Sequence, residues 1–202
     1  CGVCNGPGPD CSGDCSMLFF IDACASCIDN NAGIRFDVSA TISYNGIDES
    51  DINNAIGLSI NSEDGLDSND VLEPTLGAGD IVSFYFTNNN SANPEDRYTQ
   101  SVKYYDISTL NSTGISWDGI FSVSDLIPFP ADILIEVTIN NNCNWCSESY
   151  NISSASLLIN GQSIEFINNK ATFVENNILD FINSDMKEYQ FIVRDVCYDI
   201  ID

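Results

Sequence analysis

Histidine does not occur in this chain of 202 residues, and that absence removes several chemistries at once. No Ser-His-Asp or Cys-His pair can be assembled, and no imidazole is on hand to ligate a catalytic zinc ion. Basic residues are scarce too: six Lys and Arg stand against 30 Asp and Glu, a formal charge of −24. A field of that sign repels phosphate, so neither nucleic acid nor an anionic membrane surface is expected as a partner. No apolar run approaches the roughly 20 residues of a membrane-spanning helix, and no such helix is expected. A phosphate-binding loop is missing as well, because Gly77-Ala78-Gly79 lacks the later Gly-Lys-Ser/Thr and is followed by a strand pattern. A carboxylate pair for glycoside hydrolysis is defined by spatial separation, which acid content alone does not reveal. These absences point away from an enzyme.

What the chain does hold is cysteine, unevenly spread. Cys1, Cys4, Cys11, Cys15, Cys24 and Cys27 crowd the N-terminal segment, and Cys143, Cys146 and Cys197 complete the nine. The early ones alternate with Gly and Pro, which bury little side-chain area, so the segment must be held by cross-links rather than by a core. Two readings are open, disulfides and a thiolate metal site, because Cys1-x-x-Cys4 and Cys24-x-x-Cys27 have zinc-ribbon spacing. The flanks favour disulfides. Asn89-Asn90-Ser91, Asn111-Ser112-Thr113 and Asn151-Ile152-Ser153 are N-glycosylation acceptor patterns placed where turns are expected, and the Asn/Ser/Gly/Asp-rich turns suit an extracellular or cell-surface protein. Nine is odd, which leaves three accounts: a free thiol, a bond to a neighbouring subunit, or a lipid-modified Cys1.

The run Cys1-Gly2-Val3-Cys4-Asn5-Gly6, with Cys11 beyond it, resembles the CGVCGG segment in the cysteine-rich region of secreted metalloproteases with thrombospondin motifs. It is similar as well to CGVCNG segments repeated in large secreted bacterial surface proteins. The resemblance covers about fifteen residues, without a catalytic group, and implies an extracellular, disulfide-bonded element.

Through the body of the chain the hydrophobic period is two. Phe36, Val38, Ala40, Ile42 and Tyr44 alternate with polar residues, and Asn45-Gly46 ends that strand with a turn signal. Residues 47 to 54 read as an acidic, polar connection. Further strands are expected at 55–60, 81–87, 98–107, 117–123 and 133–139, the last being the strongest. Leu157 to Ile159 and Ser163 to Ile167 flank Asn160-Gly161 as a hairpin, Asn168-Asn169 turns into a strand at 171–174, and 189–197 closes the fold. Helical turns are expected only within 176–187. The expected class is all-β: an antiparallel β-sandwich, jelly-roll or immunoglobulin-like, over 31–202, carrying a disulfide-rich arm at 1–30. The alternative is two small sandwiches dividing at Pro128 to Pro130.

Cys197 is expected to bond Cys143 or Cys146, stapling the last strand to the sheet, with the remaining cysteine reaching the N-terminal segment or a neighbour. Cys143-Asn144-Trp145-Cys146 also has redox spacing but lacks the following helix that such a motif requires. The acidic run is the candidate metal site: Asp64, Asp67, Asn69, Asp70 and Glu73 offer the oxygens calcium takes from flexible loops, though without the EF-hand series, and a solvated turn is the competing reading. Asp48, Glu49 and Asp51 form a weaker second group. No other cofactor is expected beyond calcium and N-linked glycans.

Two functions fit. One is an extracellular structural subunit of a filament, pilus-like fibre or surface coat, self-associating into a homopolymer through strand edges or a donated strand, for which Met17 to Ile21 is the candidate. The other is a secreted adhesin or carbohydrate-binding module, calcium-stabilised, stacking sugars on Trp117, Trp145, Tyr104, Tyr105 or Tyr150, although aromatic residues in a sandwich are more often core than platform.

Overall fold

The computed structural model describes residues 19–29, 32–63, 67–73, 82–87, 97–104, 107–123, 130–146, 150–178 and 186–201. Thirteen strands and one helical turn are assigned: β1 (Phe19–Ile21), β2 (Cys27–Asp29), β3 (Ile34–Tyr44), β4 (Ile47–Leu58), β5 (Val71–Leu72), β6 (Val82–Thr87), β7 (Arg97–Lys103), α1 (Ile107–Leu110), β8 (Ile115–Val123), β9 (Ala131–Ile139), β10 (Tyr150–Ile159), β11 (Gln162–Ile164), β12 (Lys170–Ile178) and β13 (Met186–Ile200). The protein is all-β. Strands β1 and β2 pair only with each other, while the remaining eleven belong to one sheet in the order β11-β10-β13-β8-β6-β7-β4-β3-β9-β12, with β5 added beside β7. Every pairing is antiparallel except β4 with β7. Strands from both sides of Pro130 interleave, since β3 lies between β4 and β9, and β8 between β6 and β13.

Laid flat, nine interstrand steps would set β11 and β12 about 43 Å apart. Only residues 165–169 join them, a reach of about 20 Å. The sheet therefore folds over on itself. Side chains confirm the closure: Phe173 of β12 meets Tyr189 of β13 with ring centroids 6.0 Å apart, although seven strand positions separate them. Lys187 and Glu175 join the same two strands as an ion pair, and the Tyr189 hydroxyl donates to Glu175 Oε2 at 3.1 Å. Burial and the Glu175 carboxylate push the Tyr189 hydroxyl above the ordinary tyrosine range, so it stays a donor.

Alternation dictates which face is buried. In β3, Ile34, Phe36, Val38, Ala40 and Ile42 are all at most 1% exposed, and Ile133, Ile135 and Val137 of β9 join them in the same cluster. Another part of the core is aromatic: Phe84, Phe86 and Phe191 pack edge to face beside Gly119, Phe121 lies tilted against Phe84, and Trp117 belongs to the same cluster. A Cβ at Gly119 would lie 2.7 Å from Phe84 Cζ, so these rings close only because the strand carries no side chain there.

Two segments differ from the sequence reading. Residues 47–54 are the first eight of the twelve residues of β4, not a loop. The turn residues Asn45 and Gly46, with φ of 49° and 78°, fold the chain straight back so that Tyr44 faces Ile47. One edge and one face of this part stay wet, and no apolar period is needed to hold it. Among the described residues the helical turn is α1, which starts at Ile107, the last residue of the strand expected at 98–107, while Asn176 to Ile178, where helical turns had been expected, finishes β12 and Met186 begins β13.

Candidate functional site

Five of the nine cysteines are among the described residues. Cys197 bonds Cys24, and Cys143 bonds Cys146, which corrects the expected link from Cys197 to the Cys143/Cys146 pair. The reason is topological: the β1-β2 hairpin docks on the end of β13, where Ala23 N donates to Val196 O at 3.2 Å. Cys27 is disulfide-bonded too, to a partner outside the described residues. Cys1, Cys4, Cys11 and Cys15 lie outside them, as do Met17 and Leu18 of the candidate donor strand. Its remainder, Phe19 to Ile21, pairs with Cys27 to Asp29 of its own chain.

Asp22 is the hub of this latch. It is 4% exposed, and its Oδ1 accepts the N–H groups of Cys24 and Ser26 while Oδ2 accepts Tyr198 N–H at 2.8 Å. Nearby, the Tyr150 hydroxyl accepts Asp29 N–H, and the Tyr198 hydroxyl donates to Gly33 O. A buried carboxylate is tolerable here because main-chain donors replace its water. Asp22 was not singled out from sequence; its signal is an Asp opening the short Asp22-Ala-Cys-Ala-Ser26 turn, which closes through Ala25 at φ 66°.

Trp145, a candidate sugar platform in the alternative reading, is a structural plug, as the core reading of sandwich aromatics has it. Its indole N–H donates to Ile34 O at 3.0 Å, and its ring lies over Gly57, where a Cβ would come within 2.8 Å of Cζ2. Arg35 covers the ring at 5.7 Å while donating from Nε to Asp37 and from a terminal nitrogen to Gln100. Asn140 Nδ2 fills the other oxygen of Asp37. The Cys143–Cys146 bridge thus closes a small loop whose middle residue is pinned to the sheet. Trp117 is buried in the core, Tyr150 is half-buried against Tyr198, Tyr105 lies outside the described residues, and Tyr104 is 51% exposed.

In the acidic loop, Asp64 lies outside the described residues. Asp67 Oδ1 accepts Asn69 N–H and its Oδ2 accepts Glu63 N–H. Asp70 receives Asp67 N–H on Oδ2 and Val102 N–H on Oδ1, Asn69 Nδ2 donates to Ser62, and Glu73 receives the Ser83 hydroxyl. These carboxylates splice the loop to β6 and β7. Asp48 and Glu49 line the exposed half of β4, whereas Asp51 Oδ2 caps Phe84 N of β6 at 2.9 Å. Among the described residues no three metal-ligating side chains converge.

Burial, with help from the neighbouring Asp67 carboxylate, pushes Asp70 up to about 6, against the lowering effect of the Val102 and Asp67 N–H groups. Its folded value lies above the unfolded one, so its contribution is fully present below about pH 4 and is lost as pH rises through about 6. Asp70→Asn removes that titration. The melting temperature of the variant minus that of the parent is therefore expected to rise between about pH 4 and about pH 7; a flat difference would refute the assignment.

Of the glycosylation candidates, Asn89 lies outside the described residues and Asn111 sits in the turn after α1. Asn151 is exposed but on β10 rather than in a turn, because the polar first half of that strand runs along the open side of the sheet.

That open side is the remaining feature. Among the described residues β11 covers β10 only from Leu157 to Ile159 while β13 pairs with β10 down to Tyr150, and Asn141 Oδ1 accepts Ile152 N–H at 2.8 Å. Residues 150–156, Tyr-Asn-Ile-Ser-Ser-Ala-Ser, hold no charge, whereas the open half of β4 carries Asp48, Glu49 and Asp51, and the edge strand β12 carries Lys170 and Glu175. An open groove of about 470 Å³ runs beside it, lined by Ser153, Ser154, Ala155, Ser163, Glu165 and Phe166. Its signal in the sequence is an uncharged stretch in an acidic chain.

Compared with protein-family models, with curated proteins and with solved structures, the chain matches none.

Proposed function

We propose that the protein is an extracellular structural subunit of a filament or surface coat, built as a two-layer sandwich from its folded-over sheet and self-associating through the open edge of β10. The observation that carries this reading is the lack of charge on that edge. In a chain of −24, two copies meeting at a carboxylate-bearing edge repel, and residues 153–156, beyond the Ile152 N–H that Asn141 Oδ1 already takes, offer a place where main-chain groups can pair without juxtaposed acids. The register shifts between Ile152 and Ser156 bend the edge, which limits a partner strand to a few residues. Disulfides suit an oxidising environment, and clamping the N-terminal hairpin to the last strand would keep such a subunit folded outside a cell. A glycan on Asn111, away from that edge, belongs to the same reading.

Light scattering across a concentration series tests it. The parent chain is expected to form oligomers, and Ser154→Glu, an exposed change that adds charge to the edge, is expected to hold it monomeric with an unchanged melting temperature. A parent that stays monomeric at every concentration would sink the proposal.

The second reading, a calcium-stabilised carbohydrate-binding module, is favoured by exposed Tyr104 and by the oxygen-rich loop at 67–73. A glycan array, and melting with calcium against chelator, would separate it from the first.

A further inference from the structure

Three Asn-Gly pairs occur in the sequence. Asn5-Gly6 lies outside the described residues. Asn45-Gly46 and Asn160-Gly161 both form hairpin turns with left-handed residues, φ 49° and 78° in the first and 51° and 77° in the second, and a Cβ at either glycine would meet nothing within 4 Å. The two turns are alike in sequence, shape and exposure, yet they are anchored differently. Asn160 N–H donates to Gln190 O at 2.9 Å, and Asn160 Oδ1 accepts Gln190 N–H at 2.8 Å, so the turn is stitched to β13 by main chain and side chain together. Ile159 beside it is 0% exposed. Asn45 makes no side-chain hydrogen bond among the described residues, and its flanks are the half-buried Tyr44 and Ile47, which is 48% exposed.

We propose that Asn45 is a site of spontaneous succinimide formation, and that Asn160 is protected from the same reaction by its bonds to Gln190. The Gly46 main-chain nitrogen attacks Cγ of Asn45, the Cγ–Nδ2 bond breaks, and ammonia leaves carrying the proton from that nitrogen. Water then opens the ring at either carbonyl, leaving aspartate or isoaspartate. An amide and a water become a carboxylate and ammonium, so no oxidant or reductant is needed. Ring closure brings the Gly46 nitrogen onto Asn45 Cγ, a rearrangement that a hairpin held by its ladder resists, so the rate follows how often the turn opens. Opening at Asn45 exposes little and breaks only the end of the β3–β4 ladder. Opening at Asn160 breaks two further hydrogen bonds and uncovers Ile159. Each event adds a negative charge beside Asp48 and Glu49, and the isoaspartate form lengthens the main chain at the tip of β3 and β4.

Peptide mapping by mass spectrometry, after incubating the folded full-length protein at neutral pH, tests this directly. Asn45 is expected to convert about tenfold faster than Asn160, a ratio matching one extra step in opening cost, while in the reduced, urea-unfolded chain the two rates come within about threefold. Equal rates in the folded protein, or a faster Asn160, would overturn the proposal. A ratio as large in urea as in the folded state would overturn the protection by Gln190.

Discussion

Exchanging Cys24 and Cys197 together for serine is expected to lower the folding free energy by about 5 kcal/mol, because the bond closes a loop with a sequence separation of 173. Loop-closure entropy grows only logarithmically, but this loop spans most of the chain, and reduction frees nearly all of it in the unfolded state. The Cys143–Cys146 bridge, at a separation of 3, constrains almost nothing when unfolded, and its removal is expected to cost about 2 kcal/mol or less. Urea unfolding of the two double variants measures both. Equal losses would show that the long bond stabilises through the folded state rather than by restricting the unfolded one.

Asp22→Ala is the other large effect. It strips a charged acceptor from three main-chain N–H groups, of which Tyr198 N–H is buried, and each unpaired buried donor costs about 1 to 3 kcal/mol. The expected loss is about 3 kcal/mol. Asp22→Asn, which keeps one oxygen, should lose about half as much. Hydrogen exchange at the Tyr198 amide gives a local reading, with protection falling in both variants while amides of β3 and β9 hold theirs. Asp22 and Cys24 secure the same hairpin to the same strand, so combining Asp22→Ala with the Cys24/Cys197 double variant is expected to cost less than the sum. Strict additivity would mean that the carboxylate and the sulfur bridge act on separate structures.

The latch shows where sequence reasoning ran out. That cysteines here are oxidised could be argued from their spacing and neighbours, but connectivity could not, because Cys24 and Cys197 meet only after β1-β2 has docked on β13. Asp22 was invisible for the same reason: two of its donors are local and a turn signal reaches them, while the third comes from 176 residues away. Trp145 stands in a disulfide-flanked polar loop, and the bed it lies on comes from elsewhere in the chain. Gly57, Ile34 and Arg35 supply that bed, and no pattern along the chain brings them together. The first part of β4 escaped notice because a strand wet on one edge and one face has no apolar alternation to display.

By itself the sequence determined everything that depends on near neighbours. Period-two burial in β3 and β9 and left-handed Asn-Gly turns at 45–46 and 160–161 follow from residues a few positions apart. Tertiary structure alone decided how the single sheet folds over until Phe173 meets Tyr189, which cysteines bond, and which edge is left open and uncharged. Those are outcomes of long-range pairing. Such pairing is selected by the burial of whole faces against one another, a property of the assembled surfaces rather than of any short stretch.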